Sequence, residues 1–174
     1  MRFIAVLLLS CASLTAKSQS DIALQDRDLV NQQLVLTAGP GASLNFIPKA
    51  GVPQLVYIGD LNHPATPTYF SLLHGVSENF RHHALSMTAL VRGTMLMAQP
   101  NGAQAMPPLP FAVLSYCENP ESNCSLQINQ RNAGHEPLLL ITDRNNTIRK
   151  VVTRLTPNSS FDEVYLELNR LLKE

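Results

Sequence analysis

The side chains best able to do chemistry in this 174-residue chain are two cysteines near its middle, a histidine in a short loop and a group of methionines. Cys117 and Cys124 enclose Glu-Asn-Pro-Glu-Ser-Asn, a polar loop that can bring their Cα atoms within the roughly 4.4–6.8 Å a disulfide requires. In an oxidising compartment such a pair is expected to close as a structural bridge. Most exchanging pairs are spaced Cys-x-x-Cys at a helix N-terminus, where the thiolate is stabilised, and neither condition holds here. Thiol–disulfide or peroxide chemistry at Cys117 and Cys124 is therefore the alternative reading, behind an inert staple.

His63 stands in Asp60-Leu-Asn-His-Pro-Ala-Thr-Pro67. A neutral imidazole in that loop could bind a metal or a peptide backbone, although an exposed residue before a proline is the simpler reading. His63 and His135 are weak candidates for a copper or zinc site, with Met95, Met97 and Met106 as soft donors for Cu(I). Scattered methionines more often cover a core edge, so no metal and no cofactor is expected. His82 and His83 read as a solvated pair following a helix end, where a histidinium interacts favourably with the helix dipole. No nucleophile elbow, phosphate-binding loop, zinc-protease motif or dinucleotide fingerprint occurs. Thirteen Lys and Arg balance 13 Asp and Glu with no basic stripe, which argues against nucleic acid as the main partner.

The chain opens with Arg2 followed by Phe-Ile-Ala-Val-Leu-Leu-Leu, a charged n-region and short apolar h-region of the secretory type. That run is far shorter than the ~20 residues needed to span a bilayer. Residues 1–20 are read as a signal peptide. Leu8-Leu9-Ser10-Cys11 resembles a lipobox, so Cys11 is either a lipidated first residue or part of the discarded peptide. Residues 21–33 are expected to form a polar tether, and 34–174 one domain with a Met/Pro-rich insertion at about 94–110. The expected setting is the periplasm, with the membrane reached only through a lipid on Cys11.

Within the domain, Leu34–Leu36 predicts a first strand, Gly39-Pro40-Gly41 a turn, and Ser43–Pro48 a second short strand. Gln54–Gly59 is a near-continuous apolar run, as in a central strand covered on both faces. Thr66 and Pro67 suit an N-cap and first helical position. Tyr69, Leu72, Leu73, Val76 and Phe80 follow at helical spacing. Ala84–Val91 and Phe111–Tyr116 read as strands, and Leu126–Asn132 as a short helix. Leu138–Thr142 and Thr147–Leu155 flank an Asn-Asn turn as an antiparallel hairpin. Ser160 and Glu163 form a capping box opening an amphipathic helix through Phe161, Val164, Tyr165, Leu168, Leu171 and Leu172.

Two stretches carry a family resemblance. Gln54–Phe80 is similar to the central strand, active-site loop and first long helix of thioredoxin-like proteins. His135-Glu136-Pro137 through Lys150 looks like their Pro-strand-turn-strand hairpin. The resemblance implies an α/β fold, a three-layer sandwich with a central mixed sheet flanked by helices. It also implies a cis peptide bond before Pro137 and places His63 close to Glu136 and Pro137. The loop where the family carries its redox pair holds no cysteine here. Ala89-Leu-Val-Arg-Gly93 faintly resembles a strand of TrbC-like conjugative pilus-assembly proteins. The expected function is accordingly a non-catalytic envelope protein, a component of a conjugation or secretion apparatus, that binds or assembles other envelope proteins. Its contact surfaces would be the loop of Asn62, His63 and Thr66 with Glu136 and Pro137, and the Met/Pro-rich insertion at about 94–110. A metal carrier is the second alternative.

Overall fold

The computed structural model describes residues 26–93, 109–119, 123–134, 136–155 and 159–174. Its centre is strand β2 (Gln54–Asp60), whose first six residues are all buried. β2 pairs in parallel with β3 (Ser86–Arg92), which pairs in parallel with β4 (Ala112–Cys117). On its other side β2 runs antiparallel to β7 (Leu138–Thr142), itself antiparallel to β8 (Ile148–Val152). The order of this five-stranded sheet is β4-β3-β2-β7-β8. Both faces of β2 and β7 are covered, which is why they read as unbroken apolar runs rather than alternating ones.

One face packs against both long helices, α2 (Thr66–Asn79) and α3 (Ser159–Leu171). Leu55, Tyr57, Ala89, Val91, Leu139 and Ile141 meet Leu72, Leu73 and Val76 of α2 and Val164, Leu168 and Leu171 of α3. Each of these leucine and valine side chains contributes about 1.5–3 kcal/mol by leaving water. Gly75 lets the two helices approach, because a Cβ there would stand 2.9 Å from the Tyr165 hydroxyl. The α2 N-cap is Ala65, with no side-chain cap bond. Thr66, expected at that position, lies one residue inside the helix and turns its hydroxyl elsewhere. Of the expected capping box, Ser160 has its side chain outside the described residues.

Among the described residues the opposite face carries no long helix. It is covered by a single helical turn, α1 (Asp26–Leu29), and a small sheet in which β1 (Leu36–Ala38) pairs with β5 (Leu126–Ile128) and β5 with β6 (Arg131–Asn132). Leu29, Leu34, Leu126 and Ile128 bury Val56, Ile58, Leu90 and Leu140 from that side. Residues 26–33 thus pack as part of the domain rather than as tether. Leu29 is wholly buried, Asn31 donates to the Ile148 carbonyl at 2.7 Å, and Arg131 pairs with Asp28 at 2.9 Å.

Three further expectations are corrected. The first strand begins at Leu36, because the Leu34 amide donates instead to Asn146. Ser43–Pro48 forms no strand. The expected helix at Leu126–Asn132 is the β5–β6 hairpin, turned by Asn129 (φ 50°) and Gln130 (φ 67°). Two successive positive φ values give a turn twist that matches the strands it joins. The β7–β8 hairpin stands as expected. In its turn Asp143 accepts from the Asn145 and Thr147 amides at 2.8 and 2.9 Å and pairs with Arg149 at 2.8 Å. Among the described residues no peptide bond is cis, so the bond before Pro137 is trans.

Candidate functional site: the ends of the parallel strands

Asp60, Arg92 and Cys117 close β2, β3 and β4, and they stand in register: Asp60 opposite Arg92, and Arg92 opposite Cys117. Strands lie 4.7–4.9 Å apart, so the row spans about 10 Å. The two features singled out in the sequence, the cysteine-free loop after Asp60 and the cysteine pair after β4, thus leave the same end of the same sheet.

Cys117 and Cys124 are joined as a disulfide with Cα atoms 5.9 Å apart. Its formation depends on a bulge. Val91 pairs with Ser115 and Arg92 with Cys117, which leaves Tyr116 as an extra residue on β4. Alternation along a regular strand would send Tyr116 and Cys117 to opposite faces. The bulge re-aims the chain, and both pack with Cys124, Leu90 and Leu126 on the face carrying the small sheet. The Tyr116 carbonyl accepts from the Ser43 amide at 3.0 Å.

Cys124 is placed by the Gly39–Gly41 turn. Gly39 donates to the Ser125 carbonyl at 2.9 Å, and Ser125 donates to the Pro40 carbonyl at 3.1 Å. Side chains would obstruct this clasp: a Cβ on Gly39 would meet the Ser125 hydroxyl at 2.1 Å, and one on Gly41 (φ +70°) the Asn123 carbonyl at 3.0 Å. The Cys117 sulfur lies 3.0 Å from the Asn119 carbonyl, and that of Cys124 3.1 Å from the Gly41 carbonyl. Both cysteines are buried, at 3% and 8% exposure. Beside them opens a cleft of about 330 Å³ walled by Ser43, Asn45, Ser115, Cys117 and Asn119 among others.

Burial pushes the Tyr116 phenol up to about 12, opposed by the positive charge of Arg92 and reinforced by Asp60 and Tyr57. Residue types alone did not nominate Arg92 or Tyr116. The readable signal was the Arg92-Gly93 ending of an otherwise apolar strand.

At the loop, Thr66 donates to the Asp60 carbonyl at 2.6 Å and receives the Tyr57 hydroxyl at 2.9 Å. Burial raises the Tyr57 phenol, the hydrogen bond to Thr66 opposing it. The Tyr69 hydroxyl reaches the Pro137 carbonyl at 3.3 Å, which ties α2 to the start of β7. His63 accepts from the Ala65 amide at Nδ1 (3.2 Å) and faces Glu136 through Nε2 at 3.6 Å. The expected proximity of His63 to Glu136 is therefore present. Glu136 is 82% exposed, and such a surface pair contributes little. Asn62 is exposed, its amide bonded to Asp60 at 2.8 Å. Among the described residues no three His, Cys, Asp or Glu side chains cluster as metal ligands. His135, Cys11 and the methionines at 95, 97 and 106 lie outside the described residues.

No protein-family profile matches the chain, and no curated protein matches it. Solved structures do. A candidate thiol:disulfide interchange protein DsbE from Chlorobium tepidum superposes with a TM-score of 0.56 at 13% identity, over 86% of this chain and 99% of its own. A candidate protein disulfide isomerase from Bacteroides thetaiotaomicron superposes with a TM-score of 0.55 at 12% identity, over 83% and 91%. The chain has a thioredoxin-like fold, as its sequence resemblance implied. The expectation of a non-catalytic assembly protein is corrected by these findings. These two structures bear the names of thiol–disulfide proteins, and the chain carries a closed Cys117–Cys124 disulfide of its own. A loop without cysteine does not leave the sheet end without cysteine, because the pair stands two strands along from it.

Proposed function

We propose that this chain is a thiol–disulfide oxidoreductase whose exchanging pair is Cys117 and Cys124. The observation that carries this reading is the disulfide at the end of the parallel strands, with Cys117 walling an open cleft. In open α/β sheets ligands gather outside the carboxyl ends of the strands. The fold shared with DsbE-like and disulfide-isomerase structures supports the same chemistry. Reduced protein would pass two electrons to a substrate disulfide and return to the bridged state, and a dithiol donor would reset it.

The chain is exported in this reading, its apolar leader at Met1–Leu9 removed and Cys11 the candidate lipidation residue. Stable disulfides belong to oxidising compartments. Radiolabelled palmitate incorporation, lost in Cys11→Ser, tests the anchor.

The function is tested by following insulin reduction with dithiothreitol as donor. Wild-type protein is expected to accelerate turbidity, and Cys117→Ser and Cys124→Ser to abolish the acceleration. A wild-type rate equal to that of dithiothreitol alone refutes the reading for protein disulfides.

A further inference from the structure

At the end of the sheet away from the disulfide, β3 and β4 begin beside a second cleft, of about 420 Å³. Lys49 reaches it from ahead of β2, Arg81 and His83 from the end of α2, and Phe111 from just before β4. β3 runs seven residues from Ser86 to Arg92, so at 3.2–3.4 Å per residue this cleft stands about 20 Å from the row of Asp60, Arg92 and Cys117.

Its charge is one-sided. Lys49, Arg81 and His83 line it, and no Asp or Glu does. Other cations of the domain are matched: Arg131 with Asp28, Arg149 with Asp143, Lys150 with Glu163, Arg170 with Glu167 and Glu174. Among the described residues neither Lys49 nor Arg81 has such a pair. Glu78, one turn before Arg81, is exposed and lies outside the lining. A helix C-terminus attracts cations, which accounts for Arg81 and His83 following α2. It does not account for Lys49, which arrives from another segment.

The groups are also held in place. The Lys49 amide donates to Gln54 Oε1 at 3.0 Å, and the His83 amide to the Phe80 carbonyl at 2.8 Å. The His83 ring meets Phe80 at 5.8 Å between centroids, and Phe80 stacks on Tyr165. Arg81 Nε donates to His82 Nε2 at 3.0 Å, which leaves the two terminal amino groups of the guanidinium for a ligand. Buried Phe80 and Phe111, with half-buried Leu85 and Met87, give the cleft an apolar wall.

We propose that this cleft binds a phosphate monoester, its phosphoryl group among Lys49, Arg81 and His83 and its apolar body against Phe80, Leu85, Met87 and Phe111. A phosphoryl group brings close to two negative charges and three acceptor oxygens, which answer two cations and an imidazole better than a carboxylate does. A guanidinium takes two of those oxygens at once. The volume lies within the roughly 300–1,000 Å³ of small-molecule sites. The site shares no residue with the disulfide cleft, so it stands apart from the oxidoreductase reading.

The test titrates the isotope-labelled full chain at low salt with phenyl phosphate, benzoate and phenol, following backbone amide shifts by NMR. Phenyl phosphate is expected to move the Arg81, His83 and Leu85 amides with a Kd of about 1 mM. Benzoate should bind about tenfold more weakly, and phenol should leave those amides unmoved. Lys49→Gln combined with Arg81→Gln should weaken phenyl phosphate about tenfold, since an exposed ion pair is worth about two- to fivefold. Each single variant supplies a second measurement, and Lys173→Gln, a cation outside the cleft, should bind as wild type does. Benzoate or phenol binding as tightly as phenyl phosphate, wild-type affinity in the double variant, or shifts confined to the disulfide cleft each overturn the proposal. Flotation with phosphatidylcholine vesicles containing phosphatidic acid separates the sources. Capture that the double variant loses assigns the phosphoryl group to a lipid headgroup, and phenyl phosphate binding without capture assigns it to a soluble ester.

Discussion

Reducing the Cys117–Cys124 bond should weaken the fold by a calculable amount without abolishing it. The cysteines are 7 residues apart. The loop-closure relation gives about 2.4 kcal/mol for a loop of that length at 25 °C, or a fall in Tm of about 5–10 °C for a domain of this size. The remaining core does not depend on the bond, because the packing of α2 and α3 on β2, β3 and β7 lies on the other face of the sheet. Folding and redox are linked, so the same 2.4 kcal/mol lowers the bridge's potential by about 50 mV relative to the unfolded chain. The assay is urea unfolding of the oxidised protein and of the protein reduced in dithiothreitol, paired with a redox titration of the native pair. Two cooperative transitions of similar slope, separated by about 2.4 kcal/mol, are expected. A reduced chain already unfolded at 25 °C would refute exchange at this pair, since an exchanging protein must persist in both states. A difference below about 0.5 kcal/mol would instead show that the Gly39–Gly41 clasp alone holds the loop, and the closure argument would fail.

Gly41→Ala places a side chain at φ +70° and within 3.0 Å of the Asn123 carbonyl. It should cost about 1–2 kcal/mol, read as a lower urea midpoint, and an unchanged midpoint would show the clasp to be slack. Burial raises the Asp143 carboxyl, but the Thr147 and Asn145 amides and Arg149 outweigh it and hold the group below the usual carboxylate range. Its stabilisation is therefore complete above the unfolded value of about 3.9 and lost as the pH falls through the depressed folded value. Asp143→Asn should cost about 1–3 kcal/mol at pH 7 and flatten the acid limb of the stability–pH curve, and an unaltered limb would contradict the assignment. Thr66→Val removes the donor to Asp60 and the acceptor of the buried Tyr57 hydroxyl. Thermal unfolding should register a loss of about 1–3 kcal/mol, whereas Thr66→Ser should remain near wild type.

Legibility followed the range of the forces involved. The run Leu55-Val-Tyr-Ile58 announces a strand buried on both faces, because nothing but packing can absorb four successive apolar residues. Val164, Leu168 and Leu171 announce a helix with one buried face, and all three are buried in the structure. Leu126–Asn132 reads as a helix yet folds as a hairpin, because its turn uses Asn129-Gln130. Gln seldom adopts the positive φ that an Asn-Gly pair would have signalled. Apolar residues in Ser43–Pro48 suggested a strand, yet β4 takes only the Ser43 amide from that segment. Residues 26–33 look like linker because their docking rests on one buried leucine, backbone bonds and long-range polar pairs such as Arg131–Asp28, which composition does not show.

The site was less legible than the fold for a stricter reason. Chemistry at a sheet end is assembled by register, and register joins Asp60, Arg92 and Cys117 from three segments with no local pattern in common. The cysteine pair itself turns on a single residue. With strict alternation along β4, Tyr116 would face the small sheet and Cys117 the helices, on the far side of the sheet from Cys124. The bulge at Tyr116 shifts the phase by one and turns Cys117 toward its partner. Spacing alone, applied to Cys117 and Cys124, sees only a polar loop long enough to close, and that implies a staple. The same bond, viewed from the sheet, joins the end of β4, in register with Arg92, to a segment held by the Gly39–Gly41 clasp. That placement at the carboxyl end of the parallel strands, rather than the spacing, is what the proposed exchange rests on.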